Sequence, residues 1–176
     1  LRFPLALITS METDNKVDMS KFEIGRNFGT KLWNAARFLQ MNAEKLGDFS
    51  FADYAGDGLA LDAALLHDDD RHLLLKTHHI CSAMSSALAK YRIQEGALAI
   101  YDFAWTDFCD WYLEYAKGDL NAEDAGRRRQ VLALLADVYG KILRLLHPYM
   151  PFVTEEIWHQ LGYCKDEDSI MRAPYP

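Results

Sequence analysis

The chain has 176 residues, half of them hydrophobic, with 26 acidic against 19 basic side chains and a formal charge of −7. That length fits one domain with a proper core. Its apolar and aromatic content excludes general disorder, and no apolar run approaches the roughly 18 residues of a membrane span. The acidic balance excludes indiscriminate binding of nucleic acid, which Lys and Arg drive.

The N-terminus lacks the basic start, apolar run and small-residue cleavage site of a signal peptide. The chain opens at Leu1 rather than at a methionine, so a piece of something longer is expected. Cys81, Cys109 and Cys164 are widely spaced and form no CxxC pair, which implies neither zinc nor a disulfide framework. They are expected to be thiols buried on the helices of a cytoplasmic protein.

In chain order, Leu1 to about Glu12 reads as the end of a helix, with Pro4 tolerable only near its first turn. The polar stretch Thr13 to Met19 is a turn. Ser20 and Glu23 form a capping box that opens a long helix. It runs to Leu46, where Gly47 supplies the left-handed stop, a length on the order of 40 Å. Residues 48–67 read as an acidic connecting loop with one short helical turn. Asp68, Asp69 and Asp70 supply an N-cap and favourable charge for a helix to about Lys90. After a break near Tyr91 and Arg92, a helix runs from Ile93 to Lys117 and stops at Gly118. Another runs from Ala122 to His147, ended by Pro148. A short helix starts at Pro151 or Thr154 and ends at Gly162. Strand signals are absent. The expected fold is all-α: an antiparallel bundle of four to five helices over 1–162, with an irregular tail at 163–176.

Charge is unevenly spread. From Asp48 to Asp70 there are seven aspartates and no Lys or Arg, whereas Lys21 to Met41 holds Lys21, Arg26, Lys31 and Arg37 against Glu23 alone. A local basic stripe is therefore compatible with an acidic whole. At about 100° per residue from Asn27, Lys31 falls near +40°, Asn34 near −20°, Phe38 near +20° and Thr30 near −60°. Gly25, Phe28, Leu32, Ala35, Ala36 and Leu39 occupy the opposite arc, and Arg26 and Arg37 flank the polar stripe. Phe38 is the anomaly, a large ring on a polar face. A ring beside amides and a lysine suits unstacked RNA bases: the ring stacks, Asn reads a base edge and Lys meets phosphate. The wheel equally allows a loop or helix to cover Phe38, leaving Lys31 and Asn34 merely solvated.

Other constellations carry less chemistry. Tyr101, Trp105, Phe108, Tyr112 and Tyr115 form one helical stripe and read as core. Glu156 and His159 form a lone Glu-x-x-His without the second copy a di-metal bundle needs, so no metal site is expected. His78 and His79 are adjacent and point apart on a helix. Arg127, Arg128 and Arg129 read as a solvated charge run, and Asp102, Asp107 and Asp110 as polar-face residues with no nucleophile beside them. No catalytic residue is assigned.

The run from Arg26 to Phe38 resembles a characteristic segment of the valyl-tRNA synthetases. Asp102 to Glu114 resembles a second valyl-type segment. His147 to Trp158 resembles a third, shared with the leucyl and isoleucyl enzymes, and Ser169-Ile170-Met171 with the Pro174-Tyr175-Pro176 ending also fits. The resemblance covers nearly the whole chain apart from the acidic loop. It implies a class I synthetase anticodon-binding domain that grips the tRNA(Val) anticodon stem-loop, with Lys31, Asn34 and Phe38 facing the anticodon and Asn27, Thr30, Arg26, Arg37 and Lys21 beside them. Thr30 stands where that family has Asn, and Lys21 replaces an expected arginine. The parent would be a valine–tRNA ligase whose catalytic domain, elsewhere in the same chain, uses ATP and magnesium. HIGH- and KMSKS-type sequences and a Gly-rich phosphate loop are absent, so this stretch is expected to need no cofactor and to be catalytically silent. The competing readings are an isoleucyl- or leucyl-type domain and a helical protein–protein module docking through Phe38 and Trp33.

Overall fold

The structure, a computed structural model, describes residues 2–8, 19–56, 61–165 and 167–176, with side chains in the long second helix from Phe22 onward. Residues 13–18 of the expected turn, and the side chains of Ser20 in the expected capping box and of the candidate Lys21, lie outside the described residues, while Met19 already belongs to the second helix.

The described elements are helical: α1 (Arg2–Ile8), α2 (Met19–Leu46), α3 (Asp68–Ala89), α4 (Ile93–Asp102), a π-helical segment (Phe103–Tyr112), α5 (Leu113–Leu120), α6 (Ala125–Leu146) and α7 (Pro151–Leu161). The long rods are α2, α3, the continuous run from α4 through α5, and α6, with α7 shorter, which is the expected bundle plus the brief α1.

At the centre stands α6, which packs against α2, α3, α4, α5 and α7. Every residue from Gln130 to Gly140 is buried. Its sequence explains the placement: Val131, Leu132, Leu134, Leu135, Val138, Ile142 and Leu143 cover one half of the circumference, and the small Ala133, Ala136 and Gly140 let neighbours close over the other half. The polar side chains of Tyr139 and Asp137 within this interior are paired. Tyr139 donates to the Leu32 carbonyl of α2 at 2.6 Å, and Lys141 holds the buried Asp137 at 2.6 Å.

Helix ends follow local chemistry. Gly47 and Gly162 adopt left-handed φ values of 74° and 77° and terminate α2 and α7. Pro151 sits in the first turn of α7, where its missing N–H costs nothing. The α3 cap differs from expectation. His67 is the N-cap, and Asp70 reaches back to accept from the His67 N–H at 2.8 Å, completing a capping box. Gly118 does not stop its helix either. The rod continues to Leu120, and Asn121 ends it by donating through Nδ2 to the Lys117 carbonyl at 2.8 Å. The next helix starts at Ala125, capped by Asp124, whose carboxylate accepts from the Arg127 N–H at 3.0 Å.

The supposed charge run at Arg127 is corrected outright. Arg127 is buried, donating to Asp70 and to Asp119, while Tyr112 donates to Asp70 at 2.5 Å. A guanidinium satisfied by carboxylates on two other elements is a structural staple, not a solvated charge. Arg129 is exposed and pairs with Asp48 at 2.7 Å, which ties the acidic loop to α6. That loop contains two short 3-10 turns, Phe51–Tyr54 and Ala63–Leu65. It is anchored by buried Phe51 and by Gln130, which exchanges hydrogen bonds with the Asp62 backbone.

The tail is irregular apart from one 3-10 turn at Ile170–Arg172, yet it is docked. Tyr163 is buried, stacked on Trp158 with centroids 4.4 Å apart, and donates to the Ala136 carbonyl at 2.5 Å. Of the thiols, only Cys109 is buried. Cys81 is half-buried on α3, and Cys164 lies after α7 near the His159 ring.

Candidate nucleic-acid interface

The predicted stripe of α2 is held in place by the face behind it. Phe28, Leu32, Ala35, Ala36 and Leu39 are all buried. Phe28 packs on Phe3, Tyr101 and Trp105 with centroids 5.1, 4.9 and 6.2 Å away. With that arc fixed against the core, the opposite arc must face outward.

It faces an open groove of about 450 Å3. One wall is Asn27, Thr30, Lys31, Asn34, Ala35 and Phe38 of α2. The other is Cys109, Asp110, Leu113, Glu114 and Lys117 of the π-helical segment and α5. The structure thus brings five predicted residues together on one wall. Arg26 and Arg37 stand outside the groove lining, both exposed, and Arg26 approaches Glu23 at 3.8 Å.

The individual side chains refine the expectation. Asn27 and Asn34 are exposed with their amides available. The Thr30 hydroxyl donates to the Arg26 carbonyl of its own helix at 3.1 Å, leaving its lone pairs as an acceptor. Phe38 satisfies neither simple picture: it is half-buried, packed against the core on one side and lining the groove on the other. Lys31 is not merely solvated. Its Nζ pairs with Asp110 and lies 4.1 Å from the centroid of the Trp105 ring.

The far wall depends on a feature that 3.6-residue periodicity does not contain. In an α-helix, positions 105 and 110 lie about 140° apart. The i→i+5 bonding of Phe103–Tyr112 widens the turn, so Trp105 and Asp110 both meet Lys31. The same change of register leaves Trp105 half-buried and Tyr115 exposed, although Phe108 and Tyr112 are core as expected. Cys109, whose thiol burial pushes up to about 12 despite the Lys31 charge, lines the groove as an apolar group. Glu114 and Lys117 pair with each other at 2.6 Å. Sequence reasoning missed this wall as a wall; its signal was the second motif, Asp102 to Glu114.

The decoys resolve simply. His159 pairs with Glu155 at 3.1 Å rather than with Glu156. Among the described residues no cluster of three or more His, Cys, Asp or Glu side chains can hold a metal. His78 and His79 are both exposed on α3. Asp107 pairs with Lys76 across to α3 at 3.3 Å. No described helix is long and apolar enough to cross a membrane.

Fold and groove together define an all-helical recognition domain with a mixed polar and aromatic cleft between two of its helices. The family described as the anticodon-binding domain of tRNA ligases matches residues 70–176, and the chain belongs to it. The matched stretch contains the Asp110 wall. The α2 wall lies within longer similarities: valine–tRNA ligase of Syntrophotalea carbinolica is 40% identical over 174 residues, 99% of this chain and 18% of that protein. Valine–tRNA ligase of Geobacter sulfurreducens is 39% identical over 175 residues, 99% of this chain and 19% of that protein. The chain therefore spans about a fifth of the length of these relatives. Among solved structures, the agnB2 LeuRS of Agrobacterium radiobacter K84, in a ternary complex with tRNA and LeuAMS, shares the fold. Its TM-score is 0.69 and its identity 17%, over 99% of this chain and 19% of that one.

Proposed function

We propose that this chain is the anticodon-reading part of a valine–tRNA ligase and that the groove between α2 and the π-helical segment receives unstacked bases of the tRNA(Val) anticodon loop. The observation that carries this reading is the convergence of Asn27, Thr30, Lys31, Asn34 and Phe38 on one wall of a single open groove. Such a wall offers a stacking ring, base-edge amides and a cation, the set that single-stranded RNA recognition uses. Arg26 and Arg37, exposed on the same helix, serve the flanking phosphates, and Lys21 is a further candidate contact to the tRNA. Aminoacylation with ATP and magnesium belongs to the catalytic domain of the longer, cytoplasmic protein, and this stretch by itself contributes tRNA recognition without a cofactor.

The test is binding of anticodon stem-loops carrying valine or isoleucine anticodons across a salt series. A valyl domain binds the valine loop more tightly, and its affinity falls steeply with salt. Equal affinity for the two loops overturns the valyl assignment. Failure to bind either loop overturns the anticodon reading altogether.

A further inference from the structure

The charges of the groove cancel. Lys31 is paired with Asp110, and Lys117 with Glu114. A cleft built chiefly to capture phosphate would present unneutralised Arg and Lys. This one instead holds its inner lysine against a carboxylate and an indole ring. The two partners are unequally accessible: the Asp110 side chain is 52% exposed and that of Lys31 only 23%. What a ligand entering the groove meets first is the acid. Asp110 uses Oδ1 toward Lys31, and its Oδ2 makes no hydrogen bond among the described residues.

An ionised carboxylate is an acceptor only. It accepts from the exocyclic amino group of cytosine or adenine, and it repels a keto oxygen or a phosphate at the same place. Given the anticodon reading proposed above, on which this rests, we infer that Asp110 is a specificity-determining residue of the groove. Its free oxygen receives the amino group of one unstacked anticodon base, while its bond to Lys31 keeps that lysine from seizing phosphate without regard to sequence. The π-helical turn places Asp110 opposite Asn34 and Asn27 and so makes it part of the reading surface.

The test uses the anticodon stem-loop of a valine tRNA and two altered loops, one with its anticodon cytosine replaced by uracil and one with its anticodon adenine replaced by hypoxanthine. Each change swaps an amino group for a keto oxygen. The unaltered protein is expected to reject one of them by on the order of tenfold to a hundredfold, the value of a hydrogen bond to a charged group. Asp110→Asn, nearly isosteric and half exposed, removes most of that discrimination, and the altered loop gains affinity with a steeper salt dependence because Lys31 is released. Lys31→Met breaks the same ion pair but leaves the carboxylate, so discrimination persists at lower affinity. A residue that only braced the wall would give the same result in both variants. If the unaltered protein binds the valine loop and Asp110→Asn discriminates as well as it does, the inference fails while the anticodon reading stands. If no loop binds above a scrambled one, both fail.

Discussion

The Lys31 ammonium, on the α2 wall of the groove, lies 4.1 Å from the centroid of the Trp105 ring, a cation held over an aromatic face. The ring restricts where the lysine can point, and Asp110 supplies the counter-charge. A phosphate that engages Lys31 must replace interactions already made within the protein, so the lysine contributes less than a free surface cation would.

Removing that lysine has two readouts. Lys31→Met is expected to weaken binding of the valine stem-loop. The plot of log K against log salt should become shallower by less than about 0.7, the contribution of one unshared phosphate contact on a single strand, because Asp110 already holds the ammonium. An unchanged slope, measured by titration at several salt concentrations, would show that Lys31 meets no phosphate.

Phe38 serves both packing and recognition, and two substitutions separate the roles. Phe38→Ala is expected to lose roughly 1–3 kcal/mol of stem-loop binding through lost stacking, together with a modest drop in melting temperature because half of the ring packs on the core. Phe38→Leu keeps much of the apolar contact and none of the aromatic face. It should melt near the parent protein while binding the loop as poorly as the alanine variant. A leucine variant that binds normally would assign Phe38 to the core alone.

Gly25 is explained by the close approach of α1. A Cβ at this position would stand 2.5 Å from Pro4 Cγ and 2.9 Å from Pro4 Cδ, atoms of a ring that cannot rotate away. Alanine in a helix ordinarily gains about 1 kcal/mol over glycine. Here overpacking of about 1–3 kcal/mol should outweigh it. Gly25→Ala is therefore expected to lower the melting temperature, and adding Pro4→Ala should recover most of the loss. A double variant no better than the single one would exclude the clash as the cause.

Acid sensitivity should centre on Asp70. Burial alone would raise its carboxyl, but hydrogen bonds from Arg127, Tyr112 and the His67 N–H, with the Arg127 charge, outweigh that and hold it below the ordinary carboxylate value. A depressed folded-state pKa stabilises fully above the unfolded value of about 3.9, and the stabilisation is lost as pH falls through that value toward the lower folded one. Asp70→Asn should flatten the stability curve in that acid window while lowering stability at neutral pH. Arg127→Met, which strands a buried carboxylate, should cost about 3–5 kcal/mol near pH 7. Denaturant melts at pH 7 and in acid decide both points, and an Asp70→Asn curve parallel to the parent's would remove Asp70 from the acid response.

What the sequence made legible was local. The α2 stripe could be drawn because α2 is a regular helix, so the wheel placed Phe28, Leu32 and Leu39 inward and Asn27, Thr30, Lys31 and Asn34 on one outer arc. Gly47 and Gly162 announced their stops because left-handed backbone selects glycine. What escaped depends on distant pairs or altered periodicity. Arg127 looked solvated because its partners Asp70 and Asp119 lie 57 and 8 positions away, and neither separation is a helical neighbour. Asp110 looked like one more polar-face acid because the π-helical turn that aims it at Lys31 breaks the 100° rule on which the reading relied.

The tail illustrates the same limit, and its role can be measured. Tyr163 follows the glycine stop of α7, yet its ring lies against α6 where a Cβ on Gly140 would come within 3.1 Å, and its hydroxyl donates to the Ala136 carbonyl. That carbonyl lies within α6 and keeps its helical hydrogen bond, so Tyr163→Phe leaves no stranded acceptor. It should cost only about 0.5–1.5 kcal/mol. Tyr163→Ala also removes the stack on Trp158 and opens a cavity, for a loss of about 3–5 kcal/mol. Equal and small effects of the two substitutions on chemical denaturation would mean that the tail is not docked in solution. The expected inequality would make Tyr163 a core residue of the domain, contributed by the tail alongside buried Ile170.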